Sequence, residues 1–146
     1  MSKEINQNLN KLIADFTVFY QKLRHYHWNV KGPQFFQLHE KFEVIYNEVG
    51  MAIDELAERV VGLNGVPLHT LADMLKETDL DEDPEMAEPA VMVSRTVKDI
   101  KTLNQSLQAT IELAEEAADR TTANLLDETK DGLEAHLWML KAWEEV

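Results

Sequence analysis

Five side chains in the first half of the chain have the types and spacing of a metal site: His27, His39, Glu43, Asp54 and Glu58. His39 and Glu43 are four residues apart, as are Asp54 and Glu58, so on a helix each pair shares a face. The step from Glu43 to Asp54 is close to three whole turns at ~3.6 residues per turn, which puts all four on roughly one stripe. At a rise of ~1.5 Å per residue, however, His39 and Glu58 stand roughly 28 Å apart, and Glu43 and Asp54 about 16 Å. One helix cannot focus them on one ion. Either the pairs serve separate purposes, or a second copy of the helix crosses antiparallel and brings His39 and Glu43 of one subunit to Asp54 and Glu58 of its mate. A two-fold axis does this automatically, because an isologous contact between i and j repeats as j and i. His27 precedes the Gly32-Pro33 turn by about as many residues as His39 follows it, which puts the two imidazoles level across a hairpin.

Imidazole and carboxylate donors without thiolate suit iron, manganese or zinc, and a carboxylate majority favours a hard or borderline ion such as Fe²⁺. The sequence has no cysteine, so disulfides, zinc-thiolate sites and thiol catalysis are excluded. Oxidising Fe²⁺ requires an open coordination position and carboxylates that stabilise the Fe³⁺ product, and a site at an interface edge supplies both. A formal charge of -13 attracts cations and disfavours a phosphate backbone as default partner. Taken singly, the same residues have plainer readings. His27 on an apolar face reads as a hydrogen-bonded core histidine, and Asp54 and Glu58 beside Arg59 as a solvated helix face. The joint spacing is what favours metal.

The elements that must position these groups are helices. Leu9, Ile13, Phe16, Tyr20, Leu23, His27 and Val30 recur at three- and four-residue steps and mark a first helix, with Ser2 as its cap and Lys31-Gly32-Pro33 as its end. A second runs from about Pro33 through Leu38, Phe42, Ile45, Val49, Ile53, Leu56, Val60 and Leu63 to the stop at Asn64-Gly65-Val66-Pro67. A crossover follows, with a short helix in Leu68 to Glu77 and an acidic run from Thr78 to Glu88. A third helix starts near Pro84 or Pro89, shows Val93, Val97, Ile100, Leu107, Ile111 and Ala114, and ends around Ala118-Asp119. Thr121 or Thr122 caps a fourth, whose inward face is Leu126, Thr129, Leu133, Leu137, Leu140 and Trp143. This predicts an all-α, ferritin-like four-helix bundle with a short extra helix in the crossover between helices two and three, in one domain over 1–146. The opening MSKEINQNLN has neither a basic nor an apolar leader region, and no run approaches the ~18 apolar residues of a bilayer span, so the expected address is the cytoplasm, away from membrane.

Two stretches, YHWNVKGPQFFQLHEKFE and IDELAERVVGLNGVPL, closely resemble the Dps proteins, the dodecameric mini-ferritins of bacteria and archaea. The resemblance spans nearly the whole chain and rests on an HW, H-x3-[DE], D-x3-E pattern. It implies a hollow dodecamer with ferroxidase centres between two-fold-related subunits, oxidising Fe²⁺ preferably with hydrogen peroxide, storing ferric mineral and protecting against oxidative stress. By motif, His27, His39, Asp54 and Glu58 match ligands, with Zn²⁺ or Mn²⁺ as substitutes for iron, and Trp28 matches an aromatic that intercepts oxidising equivalents. Glu43 departs from the family's usual Asp, so it ligates directly or through water.

The resemblance also implies a three-fold pore lined by the fourth helix, where Asp119, Asp127 and Glu128 are candidates; acidic residues in first turns equally complement a helix dipole. Some relatives bind DNA through basic terminal extensions. Here Lys3 is the only basic residue before Lys11 and the end is AWEEV, which predicts weak or absent DNA binding. His25 reads as surface or interface and His69 as structural. His136 reads as structural with a secondary iron site as the alternative, and Trp138, Trp143 and the methionines as packing. A di-iron enzyme within one chain would need Glu-x-x-His on two helices. The sequence has none.

Overall fold

The apolar periodicities resolve into five helices in a computed structural model that describes residues 2–145: α1 (Ser2–Asn29), α2 (Phe35–Gly62), α3 (Leu71–Glu77), α4 (Pro89–Glu116) and α5 (Arg120–Glu144). α1 packs on α2 and α4 on α5, and the long connection between the two pairs lays α3 against α1. There is no strand among the described residues, and the architecture is the expected ferritin-like bundle. No described helix is long and apolar enough to cross a membrane.

The core is the union of the four stripes. Leu9, Phe16 and Leu23 of α1, Phe42, Ile45 and Leu56 of α2, Ile100 and Leu107 of α4, and Leu126 and Leu140 of α5 are buried. Each such side chain contributes about 1.5–3 kcal/mol by leaving water. Tyr20, Ile53, Leu63, Leu137 and Trp143 pack at the margin.

Helix ends differ in detail from the sequence-based expectation. Ser2 is itself helical, and α2 begins at Phe35. α4 starts at Pro89 rather than Pro84, since Pro89 at the first position has no N–H to leave unpaired, while Asp83 just before Pro84 is engaged by Tyr26 and Arg95. α5 is capped by Asp119 instead of Thr121 or Thr122: its carboxylate accepts from the Thr122 N–H at 3.1 Å and from the Thr122 hydroxyl at 2.5 Å. A full negative charge at a helix N-terminus satisfies those donors better than a hydroxyl does.

α2 and α4 share one stop. After α2, Asn64 takes φ +63°, and the N–H groups of Asn64 and Gly65 donate to the carbonyls of Val61 and Val60. After α4, Ala118 takes φ +57°, with Ala118 and Asp119 donating to Glu115 and Ala114. Both are Schellman closures. Asn tolerates this left-handed geometry, whereas Ala pays roughly 1 kcal/mol of steric strain.

The crossover is fastened to the bundle by polar contacts. Tyr26 donates its hydroxyl to Asp83 at 2.5 Å, and Arg95 grips both oxygens of that carboxylate at 3.0 Å. Burial opposes ionisation of Asp83, but these hydrogen bonds hold its carboxyl below the usual range. Asp15, fully buried, accepts from the Thr78 hydroxyl, the Asp79 N–H and Lys11. Lys22 and Asp99 form a buried ion pair at 2.6 Å between α1 and α4. Burial pushes the Asp99 carboxyl up despite that lysine.

Candidate metal centre

The α1–α2 turn sets the two imidazoles. Gly32 turns the chain at φ +109°, a conformation that favours glycine, and its carbonyl accepts from the Phe35 N–H that opens α2. His27, 9% exposed, and the half-buried His39 then face each other with ring centroids 3.8 Å apart and planes within 12°. Each ring bonds the other residue's backbone: His27 Nδ1 lies 2.7 Å from the His39 carbonyl, and His39 Nδ1 lies 2.6 Å from the His27 carbonyl. A carbonyl only accepts, so both Nδ1 atoms carry the proton and both Nε2 atoms keep a lone pair. This is the tautomer a metal-ligating histidine needs, with the outer nitrogen anchored by a backbone partner. Tyr46 meets the His27 ring edge-on at 5.4 Å and Phe35 stacks on His39 at 4.7 Å, fixing both planes.

Glu43 stands one turn beyond His39 and is exposed, as are Asp54 and Glu58 further along α2. Arg59, adjacent to Glu58, turns away to Asp119 and Thr122. Burial works against the charge on Asp119, yet the Thr122 bonds and this arginine hold its carboxyl low. Among the described residues, no group of three or more His, Asp and Glu converges within the chain. Thus the fold brings His27 and His39 together and leaves Asp54 and Glu58 apart from them.

Trp28 is 55% exposed beside the imidazole pair, with the Arg24 guanidinium 4.9 Å over its ring and 5.4 Å over that of Tyr20. Tyr20 and Tyr46 meet edge-on at 5.6 Å. Burial and the neighbouring Glu43 push the Tyr46 phenol up, which keeps it neutral.

Several secondary assignments change. Asp119 is consumed as a cap and as the partner of Arg59, so of the three acidic residues near the start of α5 only Asp127 and Glu128 face an open polar groove. His25 bonds the Glu85 carbonyl and Asn29, tying α1 to the crossover. His69 bonds the Pro67 carbonyl. Trp143 and Met92 do pack, but Trp138, Met51, Met86 and Met139 are exposed in the single chain. His136, which has no carboxylate four residues away, finds one on another helix: Glu48, at 2.5 Å. Sequence spacing carries no signal for that contact, because it depends on the register between α2 and α5.

Comparison with known proteins adds four findings. Residues 6–145 match the model of the ferritin-like domain. A DNA protection during starvation protein of Brevibacillus brevis is 46% identical over 94% of this chain and 92% of its own length. Among solved structures, a Dps protein from Bacillus brevis superposes with a TM-score of 0.96 at 44% identity, covering 99% of this chain and 97% of that one. A Dps protein from Vibrio cholerae O1, described as a member of a broad superfamily of ferritin-like diiron-carboxylate proteins, superposes with a TM-score of 0.94 at 36% identity over 97% of this chain and 89% of that one.

Proposed function

This chain belongs to the Dps proteins of the ferritin-like family, and from that premise we propose that it oxidises Fe²⁺ at centres shared by two-fold-related subunits and stores the ferric product inside a hollow dodecamer. Iron handling and protection are what the family suggests; the seat of the chemistry is argued from the residues. The observation that carries it is the reciprocal bonding of His27 and His39, which leaves the Nε2 lone pair of each stacked ring unspent. Glu43 adds a carboxylate from the same chain, directly or through water. The partner subunit's Asp54 and the partner subunit's Glu58 complete the set when α2 crosses its two-fold mate, and their lack of cationic partners within the described chain leaves them free for it.

Iron is the substrate here. Two Fe²⁺ each give one electron to hydrogen peroxide, its O–O bond breaks, and two protons are taken up to release two waters. The carboxylates stabilise the extra charge of Fe³⁺, and the imidazoles hold the ion without adding charge. Trp28, exposed beside the pair, is placed to give up an electron to a stray oxidant before the core does. Zn²⁺ and Mn²⁺ fit the same donors as substitutes. The charge of -13 supports cation entry past Asp127 and Glu128 and argues against direct DNA binding; a cytoplasmic address fits the chemistry.

The test is stopped-flow oxidation of Fe²⁺ on anaerobic addition of peroxide, with the mass of the same sample measured in solution. A rapid phase in a dodecamer, lost in His39→Ala with Asp54→Ala, is expected. A monomer with no rapid phase would sink the proposal. Gel retardation of DNA at physiological salt without fast oxidation would favour a DNA-compacting shell instead.

A further inference from the structure

The seam between α2 and α5 holds a second set of metal-type donors away from the imidazole pair. His136 is 6% exposed, with Nε2 2.5 Å from Glu48 Oε2 and Nδ1 2.9 Å from Lys41 Nζ. An ammonium can only donate, so Nδ1 presents its lone pair and the ring proton sits on Nε2, donated to Glu48. Met139, one turn along α5 from His136, accepts from the same ammonium at its Sδ, 3.4 Å away. One cation is therefore held between an imidazole nitrogen and a thioether sulfur, while a carboxylate orients the imidazole from behind. Carboxylate support on the far nitrogen is how ligand histidines are commonly fixed.

We propose that His136 Nδ1 and Met139 Sδ form a binding site for a soft monovalent cation, Cu⁺, in the place now taken by the Lys41 ammonium. Both donors are neutral and one is a thioether, a combination that selects Cu⁺ over hard or borderline ions, which prefer carboxylates. A Cu⁺ ion is content with few ligands, so two protein donors suffice. The ammonium contacts are longer than coordination bonds, and the three rotatable bonds of Met139 let its sulfur close the difference. Lys41, half-buried on a flexible four-carbon stem, swings outward as the metal enters. It acts as an internal competitor that sets the affinity.

The experiment is an anaerobic competition for Cu⁺ between the full-length protein and a chromophoric Cu⁺ chelator, with X-ray absorption on the loaded sample. The expected result is a sulfur neighbour of copper in the wild type, its loss with an affinity at least about tenfold weaker in Met139→Leu, and an affinity about tenfold tighter in Lys41→Gln. Met139→Leu should keep the wild-type rate of Fe²⁺ oxidation, which separates this site from the iron centre. A copper shell without sulfur, or equal affinity in the wild type and either variant, overturns the assignment and places Cu⁺ on other donors such as His27 and His39.

Discussion

The two hairpins of the bundle close in opposite ways. At the α4–α5 turn, Asp119 accepts from the Thr122 N–H, the Thr122 hydroxyl and Arg59, so its bonding capacity is spent on the fold. At the α1–α2 turn, His27 and His39 also fasten the helices together, yet each spends only Nδ1. What distinguishes a candidate site from a structural knot is therefore the capacity left over. By that measure Asp83, held by Tyr26 and Arg95, and Asp15, with three donors, are structural. Glu43, Asp54 and Glu58 are exposed and keep that capacity unspent.

The contrast is broken most severely by His39→Ala, which removes one lone pair, the bond from His39 Nδ1 to the His27 carbonyl and the stacking of the two rings. The rapid oxidation of Fe²⁺ should fall by at least about 100-fold, since even residues that merely support ligands cost about 10–100-fold; a wild-type rate would show that the imidazole pair is only structural. Asp119→Ala should do the reverse. It should lower stability by about 1–2 kcal/mol in urea titration, through the lost cap, and leave the oxidation rate untouched.

Acid titration sharpens the same division. The folded carboxyls of Asp83 and Asp119 lie below their ordinary value of 3.8, so the stability they give is present above that pH and is lost as pH falls through their depressed values. Asp99 has the opposite sign: raised by burial, it contributes fully below pH 3.8 and loses that contribution as pH rises through its elevated value. Asp119→Asn should accordingly flatten the acid limb of a thermal-melt series, and an unchanged limb would mean that Asp119 gives no such stability. The smallest effect is Ala118→Gly. Relief of the left-handed strain should offset the added freedom of the unfolded chain, for a net gain of up to about 1 kcal/mol by the same urea assay; a loss would show that the Ala118 geometry carries no strain.

The helices and the alignment of His27 with His39 were legible because both depend on local periodicity and on counting residues from one turn. The caps were less so. Thr121 and Thr122 have the right chemistry, but Asp119 wins on charge and on reach to Arg59, a residue far away in sequence. Glu48 and Lys41 around His136 were invisible, since only the packing of α2 on α5 brings them there. Trp138 reads as packing rather than redox, and as its place outside the inward stripe of α5 implies, it does not join the described core of its own chain and is 69% exposed.

The turn at Gly32 has a consequence for how this protein can vary. An added or deleted residue there would break the bond from the Phe35 N–H to the Gly32 carbonyl that opens α2 and shift where α2 starts against α1, parting the imidazoles. Lys31, Pro33 and Gln34 are exposed and open to exchange. The loop should therefore drift freely in composition while admitting no gap, so that its length behaves as a heritable ruler for the chemistry beside it.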